Sequence, residues 1–281
     1  MINLKIKKMF RILFMVSIGA FLVACSNGGD KNQDSISSIK QRDILKVGVF
    51  SDKPPFGFIN PQGQYDGFDV YIAKKIAKDL LGDESKIEFV PVEALSRVEF
   101  LKSGKVDIIM ANFTKTKERQ EVVDFALPYM KVALGVVSKN GEIKSIDNLR
   151  DKPLIVNKGT TADFYFSKNY PDIKLLKYDQ NTEAFQALKD DRADALAHDN
   201  TLLFAWVKEN PGFVVSISSL GDEQSIAPAV KKGDKELLEW LNNEIKILTQ
   251  DGFIKQAYEA TLAPIYGNDV DPISVIFEPK N

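Results

Sequence analysis

An α/β fold, with mainly parallel sheets flanked by helices, is predicted on three observations. Short apolar runs alternate along the chain with segments whose apolar residues recur every three to four positions. Two of these runs pass into hydroxyl-rich turns and helix starts, at Thr114, Thr116 and Arg119 and again at Gly159, Thr160 and Thr161. A third ends on an acid, Asp199. Strand ends of open α/β sheets face the ligand crevice, so a site is expected where these three places meet.

Each element has its own justification. Residues 44–50 read as the first strand, and Pro54 and Pro55 stiffen the turn behind it by fixing φ and removing backbone donors. Residues 56–59 and the turn at 60–63 suggest a hairpin. Phe68, Ile72, Ile76 and Leu80 lie four apart, the spacing of a core-facing helix, with Gly82 as its C-terminal cap. A strand at 87–90, a helix at 95–101 and an apolar strand at 108–111 follow. Beyond Tyr129, strands are expected at 132–137, 153–156, 174–178, 193–197 and 225–230, with helices at 162–167, 182–189, 201–208, 235–250 and 253–260. The last residues, with Pro264, Pro272 and Pro279, read as an irregular strap over the surface.

The N-terminus departs from this pattern. Lys5, Lys7, Lys8 and Arg11 precede an apolar run at 12–23, shorter than the roughly 20 residues that span a bilayer. Residues 1–24 therefore read as a secretory signal peptide. The run closes on Leu22, Val23, Ala24 and Cys25, which resembles a bacterial lipobox, with Cys25 as the lipidated residue. It is the only cysteine in the chain, so an internal disulfide is excluded. Residues 25–42, rich in Ser, Asn, Gly, Asp and Lys, read as a flexible tether between the lipid and the folded body. Such a protein belongs in the cell envelope, anchored to a membrane and facing the periplasm or the exterior.

Composition removes several classes of function. A net charge of −2 and a pI near 5.7 provide no basic field for nucleic acid. One histidine and one cysteine exclude a His/Cys zinc site, and a Ser-His-Asp triad would have to use His198, which reads as a structural strand-end residue. No Gly-x-Ser-x-Gly elbow and no P-loop is present. No metal and no cofactor are called for.

Binding fits better than catalysis. The backbone N–H groups that begin a helix suit an anion, and the guanidinium of Arg119 offers a planar fork to a carboxylate. Asp199 is placed to meet a cation. A free amino acid carries both charges on one carbon, and a few charge-assisted hydrogen bonds of roughly 1.5–3 kcal/mol each suffice for micromolar binding after ordering costs.

Several segments together resemble the extracytoplasmic solute-binding proteins of family 3, the polar amino acid receptors of ABC importers. They are residues 45–49 with Pro54, Pro55 and Phe56; Gly67 to Val70; Ser103 to Ile108; Thr114, Thr116 and Arg119; Val123 to Tyr129; Lys158 to Thr161; and Lys232 to Leu237. The resemblance implies a two-lobed periplasmic binding protein fold of type II, with two crossover strands near 132–136 and 226–230. Lobe I would comprise 43–133 and 228–281, and lobe II 134–227. It also implies that Arg119 binds the ligand carboxylate, helped by Thr114, Thr160 and Thr161. Asp199 and a carbonyl near Asn112 would bind the ammonium. A monomeric receptor passing its ligand to ABC permease subunits is implied, with a dehydratase-like enzyme on the same fold as the alternative.

Departures from the family pattern bear on the ligand. Basic amino acid receptors often carry an acid at the first strand end, where this chain has Phe50 and Lys53, and Ala111 and Asn112 stand where serines are common. A lysine or arginine ligand would find no acid for its distal charge. Lys53 and Arg97 either meet a polar or acidic ligand side chain or are solvated surface charges. The overall pattern resembles the cysteine-binding members.

Overall fold

The computed structural model describes residues 35–278, so the signal, the lipobox and Cys25 lie outside the described residues. Two five-stranded sheets organise the fold. The first contains β1 (Leu45–Val49), β5 (Ile87–Pro91), β6 (Ile108–Ile109), β7 (Val123–Phe125) and β13 (Ala229–Lys231), in the order β5-β1-β6-β13-β7. The second contains β8 (Met130–Lys139), β9 (Leu154–Asn157), β10 (Leu175–Tyr178), β11 (Ala195–Asp199) and β12 (Phe213–Ile226), in the order β10-β9-β11-β8-β12. A small sheet of β2 (Asp52–Lys53), β3 (Gly57–Ile59) and β4 (Tyr65–Asp66) takes the place of the expected hairpin.

Each large sheet is mixed but mainly parallel in strand direction, as expected, with one strand, β13 in the first and β8 in the second, running against the other four. β5, β1 and β6 run parallel, as do β10, β9 and β11, whereas β13, β7, β8 and β12 pair antiparallel. The physical reason is connectivity. β8 carries the chain from the first sheet into the second and runs against β11, whereas β12, which brings it back, is antiparallel to β8 and so runs in the same sense as the strands that helices connect. The two meet as Met130↔Ile226, Lys131↔Ser225 and Val132↔Gln224, a few residues upstream of the crossovers expected at 132–136 and 226–230. The segment 225–230, read as one strand, is broken at Ala227 and Pro228, where proline has no donor to give.

Helices cover the sheets because their apolar stripes demand it. In α2 (Phe68–Leu81), Phe68, Ile72, Ile76 and Leu80 are all buried, and Gly82 adopts the left-handed C-cap with φ 82°. α8 (Lys235–Gln250) buries Leu237, Leu241, Ile245 and Leu248 in the same way. Two terminal expectations are corrected. Residues 35–42, assigned to the tether, form α1 (Ser35–Arg42), because Ile36 and Ile39 find a hydrophobic core to enter. The final strap is half internal: Tyr266, Val275 and Ile276 are buried, and Ile276 bridges to Met130. Among the described residues no helix is long and apolar enough to cross a membrane.

Candidate functional site

Beyond β6 the chain stays buried through Asn112, whose φ of 45° turns it sharply, and reaches the short helix α4 (Lys117–Gln120). Thr116 caps that helix, its hydroxyl accepting the Arg119 N–H at 3.2 Å. Arg119 then folds back beneath its own turn. Its guanidinium donates to the Thr114 carbonyl at 2.7 Å and to the Gly159 carbonyl, beyond the end of β9, at 2.9 Å.

The second junction repeats the device. Gly159, at φ 74°, passes so close to Leu95 that an added Cβ would stand 2.8 Å from the Leu95 Cα. Thr160 caps α5 (Thr161–Asn169), accepting from the Asp163 N–H at 3.2 Å. Thr161 opens the helix with its hydroxyl 3.5 Å from an oxygen of Asp199 at the end of β11.

Lys53 and Arg97 are buried rather than solvated charges. Lys53 is 1% exposed, and its ammonium donates to Asn112 Oδ1 at 2.6 Å and to Asp199 Oδ2 at 3.0 Å. Arg97, 3% exposed, begins α3 (Arg97–Lys102) and donates to the carbonyls of Ala94 and Ala111, each at 3.0 Å. Its guanidinium lies 4.3 Å from the ring centroid of Phe113, and that of Arg119 lies 4.7 Å from the same ring.

Phe50, Lys53, Arg97, Asn112, Thr114, Arg119, Thr160, Thr161 and Asp199 thus line one small cavity with a free volume of about 10 Å³, room for about one water molecule. Ala111 is buried beside it and contributes a carbonyl to Arg97. His198, read as structural, also lines the cavity. Its Nδ1 accepts the Asp199 N–H at 2.7 Å, and its buried Nε2 has no partner among the described residues. Its place beside an acid at a strand end is the signal that could have marked it. A larger groove of about 640 Å³ lies beside Phe204 and Phe213.

Charge inside the cavity is strongly coupled. Burial alone would raise the Asp199 carboxyl, but the Lys53 ammonium holds it far below the carboxylate range, so it is ionised. Burial pushes Arg119 down to about 10, against the pull of Asp199. Behind Asn112, Asp69 accepts its N–H at 2.7 Å and the Tyr129 hydroxyl at 2.6 Å, and burial raises its carboxyl to about 7. Among the described residues no group of acids, histidines or cysteines could hold a metal ion.

Two α/β lobes joined by crossover strands, with charged side chains from both converging on one small cavity, define a two-lobed ligand receptor. The chain belongs to the bacterial extracellular solute-binding proteins, family 3, whose profile matches residues 45–262. It is 57% identical to the solute receptor for L-cysteine of Neisseria gonorrhoeae, with a TM-score of 0.85 over 86% of this chain and 99% of that one. It is likewise 57% identical to the cysteine-binding protein of Campylobacter jejuni, with a TM-score of 0.86 over 88% and 100%. An ABC transporter glutamine-binding protein of Bacillus subtilis is 35% identical over 265 residues, 90% of this chain and 96% of that one. These are transport receptors. The protein is accordingly a solute receptor of the transport type and not an enzyme.

Proposed function

We propose that this protein is the receptor of an ABC importer for L-cysteine, anchored to the membrane through lipid on Cys25. That it is an amino-acid receptor of ABC transport follows from its family and relatives. Cysteine is the finer reading, and it rests on the 57% identity to receptors for that amino acid over nearly the whole length of each. In this reading Asp199 and the Asn112 region bind the α-ammonium. Arg119, Thr114, Thr160 and Thr161 bind the α-carboxylate, and Lys53 and Arg97 face the side chain. The ligand bridges both lobes and therefore favours their closure.

Calorimetry of ligand-stripped receptor against the twenty amino acids is the direct test. Cysteine is expected to bind most tightly, and the absence of heat with cysteine would remove the assignment. The anchor is tested separately: Cys25→Ser is expected to release the receptor from membranes with its affinity unchanged, and continued membrane association would count against lipidation. The receptor is expected to sediment as a monomer once freed from membrane.

A further inference from the structure

We propose that the receptor takes up cysteine as its thiolate, so that the bound ligand carries net negative charge and its thiol proton passes to solvent on binding. This rests on the cysteine reading above and adds the ionisation state of the ligand to it.

Charge balance is the first ground. Three buried cations line the cavity, Lys53 from β2, Arg97 from α3 and Arg119 from α4. Asp199 of β11 is the one carboxylate among the described residues that line it. Asp69 of α2 stands one residue behind, shared between the Asn112 N–H and the Tyr129 hydroxyl. Asp163 of α5 is turned to the Gly159 N–H and to Lys177. His198 adds no charge, because its Nδ1 accepts a backbone N–H. Cations outnumber carboxylates. A zwitterionic amino acid leaves that excess untouched, whereas a third, negative charge on its side chain offsets it.

The second ground is the kind of hydrogen-bonding group left over. With the ammonium on Asp199 and the carboxylate on Arg119, the polar groups remaining for the side chain are Lys53, Arg97 and His198. All three offer protons. Lys53 spends two on Asn112 and Asp199 and keeps a third. His198 keeps a buried Nε2 proton without a partner among the described residues. A neutral thiol is a weak acceptor and would leave these donors poorly satisfied, while a thiolate is a strong one. Burial also pushes the Lys53 and Arg97 cations down, the latter with help from Arg119, and an anion among them reverses that trend. Thiolates beside Lys, Arg or His are favoured for the same reason, against an ordinary thiol pKa of about 8.5.

The test is titration of ligand-stripped receptor with reduced L-cysteine between pH 6.5 and 8.5, in pairs of buffers that differ in ionisation enthalpy, while thiolate ultraviolet absorbance is followed. Expected at pH 7.5 are a rise in thiolate absorbance on binding and release of about 0.9 proton per cysteine, with affinity rising about tenfold per pH unit below the thiol pKa. Serine at higher concentration serves as a ligand with no titrating side chain and reports the protons of Asp69 and Lys53 alone. Lys53→Met is expected to weaken cysteine at least tenfold and serine much less. Cysteine that binds without a thiolate signal would overturn the proposal and leave the cysteine reading intact. No binding of cysteine at all would overturn both.

Discussion

The ammonium of Lys53 and the carboxylate of Asp199 lie 3.0 Å apart although 146 residues separate them in the chain. One follows the first strand of the first sheet and the other ends a strand of the second, so the pair ties the two lobes together where both side chains are shut off from water. Removing one partner of such a pair leaves an uncompensated buried charge, at a cost of about 3–5 kcal/mol. Asp199→Asn is therefore expected to lose most of its ligand affinity by calorimetry. A variant that binds within twofold of the parent would show that Asp199 is not the ammonium anchor.

Arg119 spends two donors on the carbonyls of Thr114 and Gly159, which fixes the plane of its fork. Arg119→Ala should weaken amino-acid binding by several kcal/mol, about the worth of two charge-assisted hydrogen bonds. Arg119→Lys should recover only part of that, because a point charge cannot reproduce a planar bidentate contact. Equal binding by the Lys variant and the parent would argue for charge alone.

Contacts that depend on how closely the lobes approach form a separate test. Both oxygens of Asp52 reach the start of α6 (Asn181–Lys189), accepting the Asn181 backbone N–H at 2.6 Å and its side-chain amide at 3.0 Å. Asp52→Ala removes this cap from across the cleft and should cost about 0.5–2 kcal/mol of affinity. Gly159→Ala should cost more, since its Cβ would meet the Leu95 backbone at 2.8 Å and its φ is left-handed. Small-angle scattering with saturating ligand should find the Gly159 variant more open than the parent, and identical curves would refute this.

Asp69 and Asp199 pull the pH dependence of stability in opposite directions. The Asp69 carboxyl sits at about 7 in the fold against an ordinary 3.8. Between those values the folded protein holds a proton that the unfolded chain has lost, so stability falls as pH rises from about 4 to 7, by at most about 1.4 kcal/mol per unit. Asp199 is held below its ordinary value, so its contribution is present above pH about 4 and is lost as pH falls. Glu244 is also raised to about 7, by burial and by Asp79, and acts in the same sense as Asp69. Asp69→Asn and Glu244→Gln should each flatten the decline in chemical-denaturation curves taken from pH 4.5 to 7.5. An unchanged slope in the Asp69 variant would place its titration elsewhere.

What was legible in the sequence follows physical lines. The amphipathic helices were readable because their periodicity is local, and Phe68, Ile72, Ile76 and Leu80 are buried as spaced. The start of β12 was not readable. Its pairing with β8 shifts register between Val215 and Ile217, between Ile217 and Leu220, and between Leu220 and Gln224, and each shift resets the alternation that marks a strand. α1 was missed because Ile36 and Ile39 are too few to stand out in a polar stretch, and only a distant core gives them somewhere to go.

By itself the sequence determined the α/β alternation, the two capped helix starts at Thr116 and Thr160 and the presence of a fork, Arg119, beside one of them. These depend on residues a few positions apart. Only the tertiary structure decided that Lys53 and Arg97 are buried, that His198 joins them, and that Asp199 faces Lys53 and Thr161 in one cavity. Burial and charge pairing are properties of the surfaces that meet when two lobes pack. Residues 146 positions apart acquire them only when the strands that carry them are brought end to end.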